Sequence, residues 1–173
     1  MPWLPMRKLL LIGPGGSGKS TLAAAIASRT KIPVVHLDTI FWRAGWVETP
    51  REEWVRTVEG MIQADAWIMD GNYGGTLDRR LAACDSVVFL DMPAYLCVWR
   101  ILRRRWQFRG RSRPDMAEGC AEKLGLDFVY WALSYRYRRR PAVLAKLEAA
   151  RAAGKHVVVL ASRQDVQAFL ATL

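Results

Sequence analysis

Long apolar runs, metal-ligand spacings and repeats are missing from this chain. No stretch approaches the ~20 consecutive apolar residues that cross a bilayer. Leu9 to Ile12, preceded by Arg7 and Lys8, is too short for the apolar core of a secretory signal and runs straight into a glycine-rich stretch. A cytoplasmic protein with no membrane partner is therefore expected. Cysteine is scarce and scattered: Cys84, Cys97 and Cys120 form no Cys-x-x-Cys, and only His36 and His156 could assist them. That excludes a disulfide framework and a zinc site, and leaves the thiols as small buried hydrophobes. Helix-turn-helix, zinc-finger and RNP patterns are absent, as is the Asn/Thr-Lys-x-Asp guanine motif of a GTPase.

Acidic residues are the other shortage. Lys and Arg number 26 against 16 Asp and Glu, a net charge of +10. Between Trp99 and Arg140 there are twelve basic residues and four acids, so +8 of the +10 comes from this segment. Eleven of the twelve are Arg, whose planar fork suits bidentate phosphate contacts. A polyphosphate or a nucleic acid is the expected neighbour. With 173 residues, 51% of them apolar, residues 1–173 suit one domain with one sizeable core.

What is present is organised around Gly13-Pro14-Gly15-Gly16-Ser17-Gly18-Lys19-Ser20-Thr21, which fits G-x-x-x-x-G-K-[ST] at every required position. Glycines let the backbone curl with its N–H groups inward, and the following helix offers its positive end to phosphate oxygens. Lys19 is expected on the β- and γ-phosphates of ATP, and the Ser20 hydroxyl on Mg²⁺. The context is right: Leu9 to Ile12 read as a buried strand, and Thr21 to Ser28 as a helix of strong formers.

Further along, apolar strands are expected at Pro33 to Leu37, Ala66 to Met69, Ser86 to Leu90 and His156 to Leu160, separated by helices. One helix is capped by Thr49 with Pro50 at its first position, one follows Thr76 or Asp78, and one opens at Pro93. A long helix or pair spans about 118 to 139, another begins at Pro141, and a last one follows Ser162. Ile40 to Trp46 reads as loop, and residues 104–120 as an arginine-rich lid. Strands that are apolar throughout, alternating with helices, predict a parallel sheet covered on both faces. The expected fold is α/β, a three-layer P-loop NTPase fold with a five-stranded parallel sheet in the order 2-3-1-4-5.

Ligands of such sheets bind beyond the carboxyl ends of the strands. Here those ends carry Gly13, Asp38, Asp70 and Asp91. A carboxylate there holds Mg²⁺ or accepts a proton from an attacking hydroxyl. Asp38 and Asp70 are the expected functional pair, whereas Asp91, just before Met92-Pro93, is expected to cap a helix.

The phosphate loop, Met69-Asp70-Gly71, Arg79 and Arg80, Asp91-Met92-Pro93, Arg100-x-x-x-Arg104 and Arg113-Pro114-Asp115 follow in an order that resembles adenylate kinases and related P-loop kinases. Within that group the chain is most similar to bacterial DNA topology modulation proteins. It shares with them His36-Leu37-Asp38, the Trp42 and Trp46 loop, Trp67 to Tyr73 and Trp131 to Tyr135. The resemblance implies that Lys19 and Ser20 take ATP and Mg²⁺ and that Asp70 orders the metal's water. It places Arg79 or Arg80 on the acceptor or transferred phosphate, and makes Arg100, Arg104 and Arg113 lid arginines, with Arg136 or Arg138 completing the set. The family's Asp-Gly-Phe-Pro-Arg is here Asp-Gly-Asn-Tyr-Gly, so the acceptor side departs from the pattern.

On that side Asp38 would orient or deprotonate an alcohol, and Trp42, Trp46 and Tyr73 would stack a flat or sugar-like acceptor or else pack the neighbouring helix. The expected activity is Mg²⁺-dependent transfer of the ATP γ-phosphoryl group to a nucleoside, nucleotide or hydroxyl metabolite. The alternative is a nucleotide-regulated nucleic-acid-binding or topology-modulating protein that uses the arginines of residues 99–140.

Overall fold

A computed structural model describes residues 6–107, 119–120 and 126–173. Five parallel strands form one sheet: β1 (Lys8–Ile12), β2 (Val34–His36), β5 (Trp67–Asp70), β6 (Ser86–Leu90) and β7 (His156–Leu160). A separate antiparallel hairpin, β3 (Trp42–Arg43) and β4 (Val47–Glu48), falls between the second and third strands of that sheet. The sheet order is β2-β5-β1-β6-β7. These labels differ from the expected 2-3-1-4-5 because the hairpin, read from the sequence as loop, takes two numbers in chain order. Counted among the sheet's own strands, the order is second, third, first, fourth, fifth.

The central strands β1, β5 and β6 are buried on both faces, which is why their sequences are continuous apolar runs. Alternate residues of β1 supply two different cores. Leu9 and Leu11 pack with Leu22 and Ile26 of α1 (Lys19–Thr30) and Phe169 of α8 (Arg163–Ala171). Leu10 and Ile12 pack on the other face with Leu77 and Leu81 of α4 (Gly74–Ala83) and Leu147 of α7 (Arg140–Ala152). Each such side chain contributes about 1.5–3 kcal/mol on burial, so the phosphate loop issues from a strand held on both faces and along both edges.

A third, smaller cluster joins Leu37 in α2 (Leu37–Phe41) to Trp54 and Val58 of α3 (Arg51–Met61), with Phe41 and Tyr73 packed against it. The second strand is thus shorter than expected: Leu37 and Asp38 belong to a helical turn. Thr49 does not cap α3. Its hydroxyl donates to Phe41 O at 2.7 Å and its N–H to the same oxygen, closing the base of the hairpin. Beyond β6, α5 (Ala94–Gln107) and α6 (Leu126–Arg138) pack on one another. Most of the expected lid, including Arg113, lies outside the described residues. Residues 119–120 do touch the hairpin, Gly45 N–H donating to Gly119 O and the Cys120 thiol to Arg43 O. Ser162 and Asp165 form a reciprocal capping box at the start of α8. No described helix is long and apolar enough to cross a membrane.

Candidate functional site

The loop from Gly13 to Gly18 needs glycine for space as well as for conformation. Gly13, Gly16 and Gly18 have φ of 150°, 76° and 100°. A Cβ on Gly13 would lie 2.6 Å from Leu90 O, and one on Gly16 2.4 Å from Cys97 O. The loop therefore sits hard against the end of β6 and the start of α5. Inside it, Lys19 Nζ donates to Gly13 O (3.0 Å) and Pro14 O (2.9 Å). The buried Ser17 hydroxyl has no partner. An ammonium resting on loop carbonyls and an orphaned hydroxyl fit a polyphosphate, which would engage both. Arg100 Nη1 lies outside the curl, donating to Ser17 O at 3.0 Å. Thr21 is exposed on the first turn of α1, and Ser20 is half-buried.

Two aspartates flank the lysine. Burial lowers the Lys19 pKa, while Asp38 and Asp70 both act to raise it and Arg104 to lower it. Three residues expected at the site, Asp38, Asp70 and Arg104, are thereby in electrostatic reach of its ammonium. Asp70 ends β5 in register with His36 of β2, and their side chains meet, Nδ1 to Oδ1, at 3.0 Å. Among the described residues no three His, Cys, Asp or Glu side chains converge on one point. Mg²⁺ is commonly held by phosphate oxygens, water and only one or two protein groups, so Ser20 and Asp70 suit it.

The Asp38 carboxylate is positioned by a chain of bonds. The Tyr73 hydroxyl donates to Asp38 Oδ1, and the Trp42 indole, which can only donate, bonds to the Tyr73 hydroxyl. Burial and then Asp38 itself push the Tyr73 pKa far up, so the phenol keeps its proton. Tyr73 has φ 32°, a left-handed conformation that costs a non-glycine residue about 1–3 kcal/mol. Arg80 holds that turn. Fully buried, it donates to Gly71 O (2.9 Å), Asn72 O and Tyr73 O (3.0 Å), and burial brings its pKa down to about 10.

These contacts correct several expectations. Arg80 is committed to three backbone carbonyls and is not turned to a phosphate, because its two Nη groups are taken up by Gly71 O, Asn72 O and Tyr73 O at the base of the turn. Arg79 pairs with Glu59 of α3 on the surface at 2.8 Å. Tyr73 and Trp42 are not open stacking faces. Tyr73 is tilted against Phe41 and Trp54 at 4.7 and 5.0 Å, and Trp42 meets Trp46 edge-on at 5.3 Å. Trp46 stands in the hairpin turn with φ 67°. Asp91 does not cap α5; Arg140 donates to both its oxygens, at 2.9 and 2.8 Å. Arg136 is exposed on α6.

Asn72, to which the sequence reading gave no role, also belongs to the site. Asn72 accepts from Gly13 N–H through Oδ1 (3.0 Å) and donates to Gly13 O through Nδ2 (2.7 Å), clamping the first glycine of the loop. Its signals in the sequence are its place two residues beyond Asp70 and its position within the Trp67 to Tyr73 stretch of the resemblance.

Residues 9–66, about a third of the chain, match the model of the ATPase family associated with various cellular activities (AAA). Comparison with curated proteins finds no match. The matched span carries β1, the loop, α1 and Asp38, and with the parallel sheet it shows a P-loop nucleotide-binding domain. Asp70, Asn72, Tyr73 and Arg80 lie beyond it.

Proposed function

We propose that the protein is a P-loop kinase that transfers the ATP γ-phosphoryl group to the hydroxyl of a small acceptor. The observation that carries this reading is Asp38. Its carboxylate lies within electrostatic reach of Lys19 and is oriented by its own tyrosine and tryptophan, as a base for an attacking hydroxyl requires. The loop N–H groups, Lys19 and the Ser17 hydroxyl bind the phosphates, and Arg104 adds positive charge from α5. Ser20 and Asp70 would hold Mg²⁺, which would supply charge neutralisation at the transferring group.

Tyr73 donates to Asp38 Oδ1, which leaves Oδ2 to take the acceptor's proton. In the transfer, the acceptor oxygen bonds to the γ-phosphorus, the bond to the bridging oxygen of ADP breaks, and the acceptor's proton passes to Oδ2 of Asp38. Because Tyr73 is packed against Phe41 and Trp54 and Trp42 against Phe41 and Trp46, the acceptor is held by its hydroxyl and by polar edges more than by stacking.

The test is a panel of nucleosides, nucleotides and sugars offered with ATP and Mg²⁺, read by ADP release and by mass of the product. Transfer to one of them that falls at least ~100-fold in Asp38→Asn, with ATP affinity kept, is the expected result. Acceptor-independent ADP release, equal in Asp38→Asn, would replace this reading with simple ATP hydrolysis.

A further inference from the structure

Helix α5 is apolar on two opposite faces. Cys97 and Ile101 point inward beneath the phosphate loop and are fully buried. Tyr95, Trp99, Leu102 and Trp106, spaced i, i+4, i+7, i+11, form a second stripe on the far side. Their exposures are 76, 54, 45 and 81%. Large exposed apolar side chains are unremarkable singly, but four in register along one helix mark a surface that something covers. On the neighbouring α6, Tyr130 and Tyr137 are likewise exposed.

We propose that the outer face of α5 is a stacking platform for single-stranded nucleic acid. Charge chooses the class of occupant. Helix α5 carries no acid, Arg103 is exposed beside the stripe, and Arg136 and Arg138 are exposed on the neighbouring α6. A second copy of the chain would set one such helix against another at the cost of like-charge repulsion, whereas a phosphate backbone is complementary. The arginines also lie on the aromatic rings themselves: Arg103 stands over Trp99 at 5.4 Å, and on α6 Arg138 stands over Tyr130 at 5.5 Å. A bilayer-inserting helix keeps its cations to the flanks of the apolar stripe, so a guanidinium over the ring opposes that use. Alternating flat π faces and guanidinium groups is the arrangement that takes unpaired bases and their phosphates together.

Spacing chooses the strandedness. Tyr95 and Trp99 are about 6 Å apart along the helix axis, wider than the 3.4 Å of stacked duplex bases, so only bases free to splay apart can sit on successive rings. The platform uses the face of α5 opposite the phosphate loop and stands independently of the kinase reading.

The experiment measures fluorescence anisotropy of a labelled mixed-sequence 20-mer, as single strand and as duplex, over a range of salt. We expect the single strand to bind several-fold more tightly than the duplex and to quench tryptophan emission. Trp99→Ala/Trp106→Ala should weaken single-strand binding roughly five- to a hundred-fold, while Trp99→Phe/Trp106→Phe, which keeps the rings, restores most of it. Binding of an ATP analogue should be unchanged in both double variants, which also reports that they fold. Equal binding of single strand and duplex, or no difference between the Ala variant and the parent, overturns the proposal. So does sedimentation showing a dimer that the Ala variant disperses, or binding to anionic phospholipid vesicles in place of the oligonucleotide.

Discussion

Arg79 and Arg80 are adjacent in sequence and opposite in physical situation. The first forms an exposed ion pair with Glu59, the kind worth about 0–1 kcal/mol. The second is sealed in the fold with three carbonyls around its guanidinium. Removing it strands acceptors that cost about 1–3 kcal/mol apiece when buried without partners. Arg79→Ala should therefore shift chemical denaturation by less than about 1 kcal/mol, and Arg80→Met by about 3 kcal/mol or more. Lys19 permits a second prediction at this scale. Its pKa is already lowered by burial, and Asp38 and Asp70 support its charge. Phosphate binding requires the ammonium, so affinity falls as pH rises through the lysine's pKa. Asp38→Asn removes a supporting charge and should move that loss of ATP-analogue affinity to lower pH, as measured by calorimetric titration across the alkaline range. No residue-by-residue reading separates Arg79 from Arg80, because burial is decided by how α4 packs.

At the scale of elements, glycines with the same composition signal have different tasks. Gly16 lies where α5 crosses the loop, with Cys97 O 2.4 Å from any added Cβ and a positive φ besides. Gly60, within α3, has nothing within 4 Å. Gly16→Ala should push α5 off the loop and cut nucleotide-analogue affinity by at least ~100-fold, since backbone and Cβ are both misplaced. Gly60→Ala should instead stabilise the protein by about 0.5–1 kcal/mol in a urea titration, through helix propensity alone. The loop was legible in the sequence because its spacing encodes its own local geometry. The hairpin of β3 and β4 was not, because its strands are two residues each and its closure depends on Thr49 bonding back to Phe41. Trp42 and Trp46, for which the sequence left acceptor stacking and packing both open, pack on each other for the same reason: the hairpin turns them together.

Over the whole molecule, the net charge of +10 leaves the folded chain repelling itself. Raising salt from about 0.01 M to about 1 M shortens the screening length from ~30 Å to ~3 Å. Thermal unfolding followed by circular dichroism should accordingly move up by a few degrees over that range. A downward shift would mean that ion pairs such as Asp91 with Arg140 outweigh the repulsion. The sequence by itself determined the phosphate loop, the alternation of buried strands and helices, and the placing of Asp70 at a strand end. Those features follow from spacing, periodicity and backbone chemistry, which are local. Only the tertiary structure decided that Asn72 clamps Gly13, that Arg80 holds the turn at Tyr73, that Asp91 pairs with Arg140, and that α5 turns its tryptophans outward. Each of these joins segments far apart in the chain or depends on which face of a helix the core covers, and packing alone fixes that.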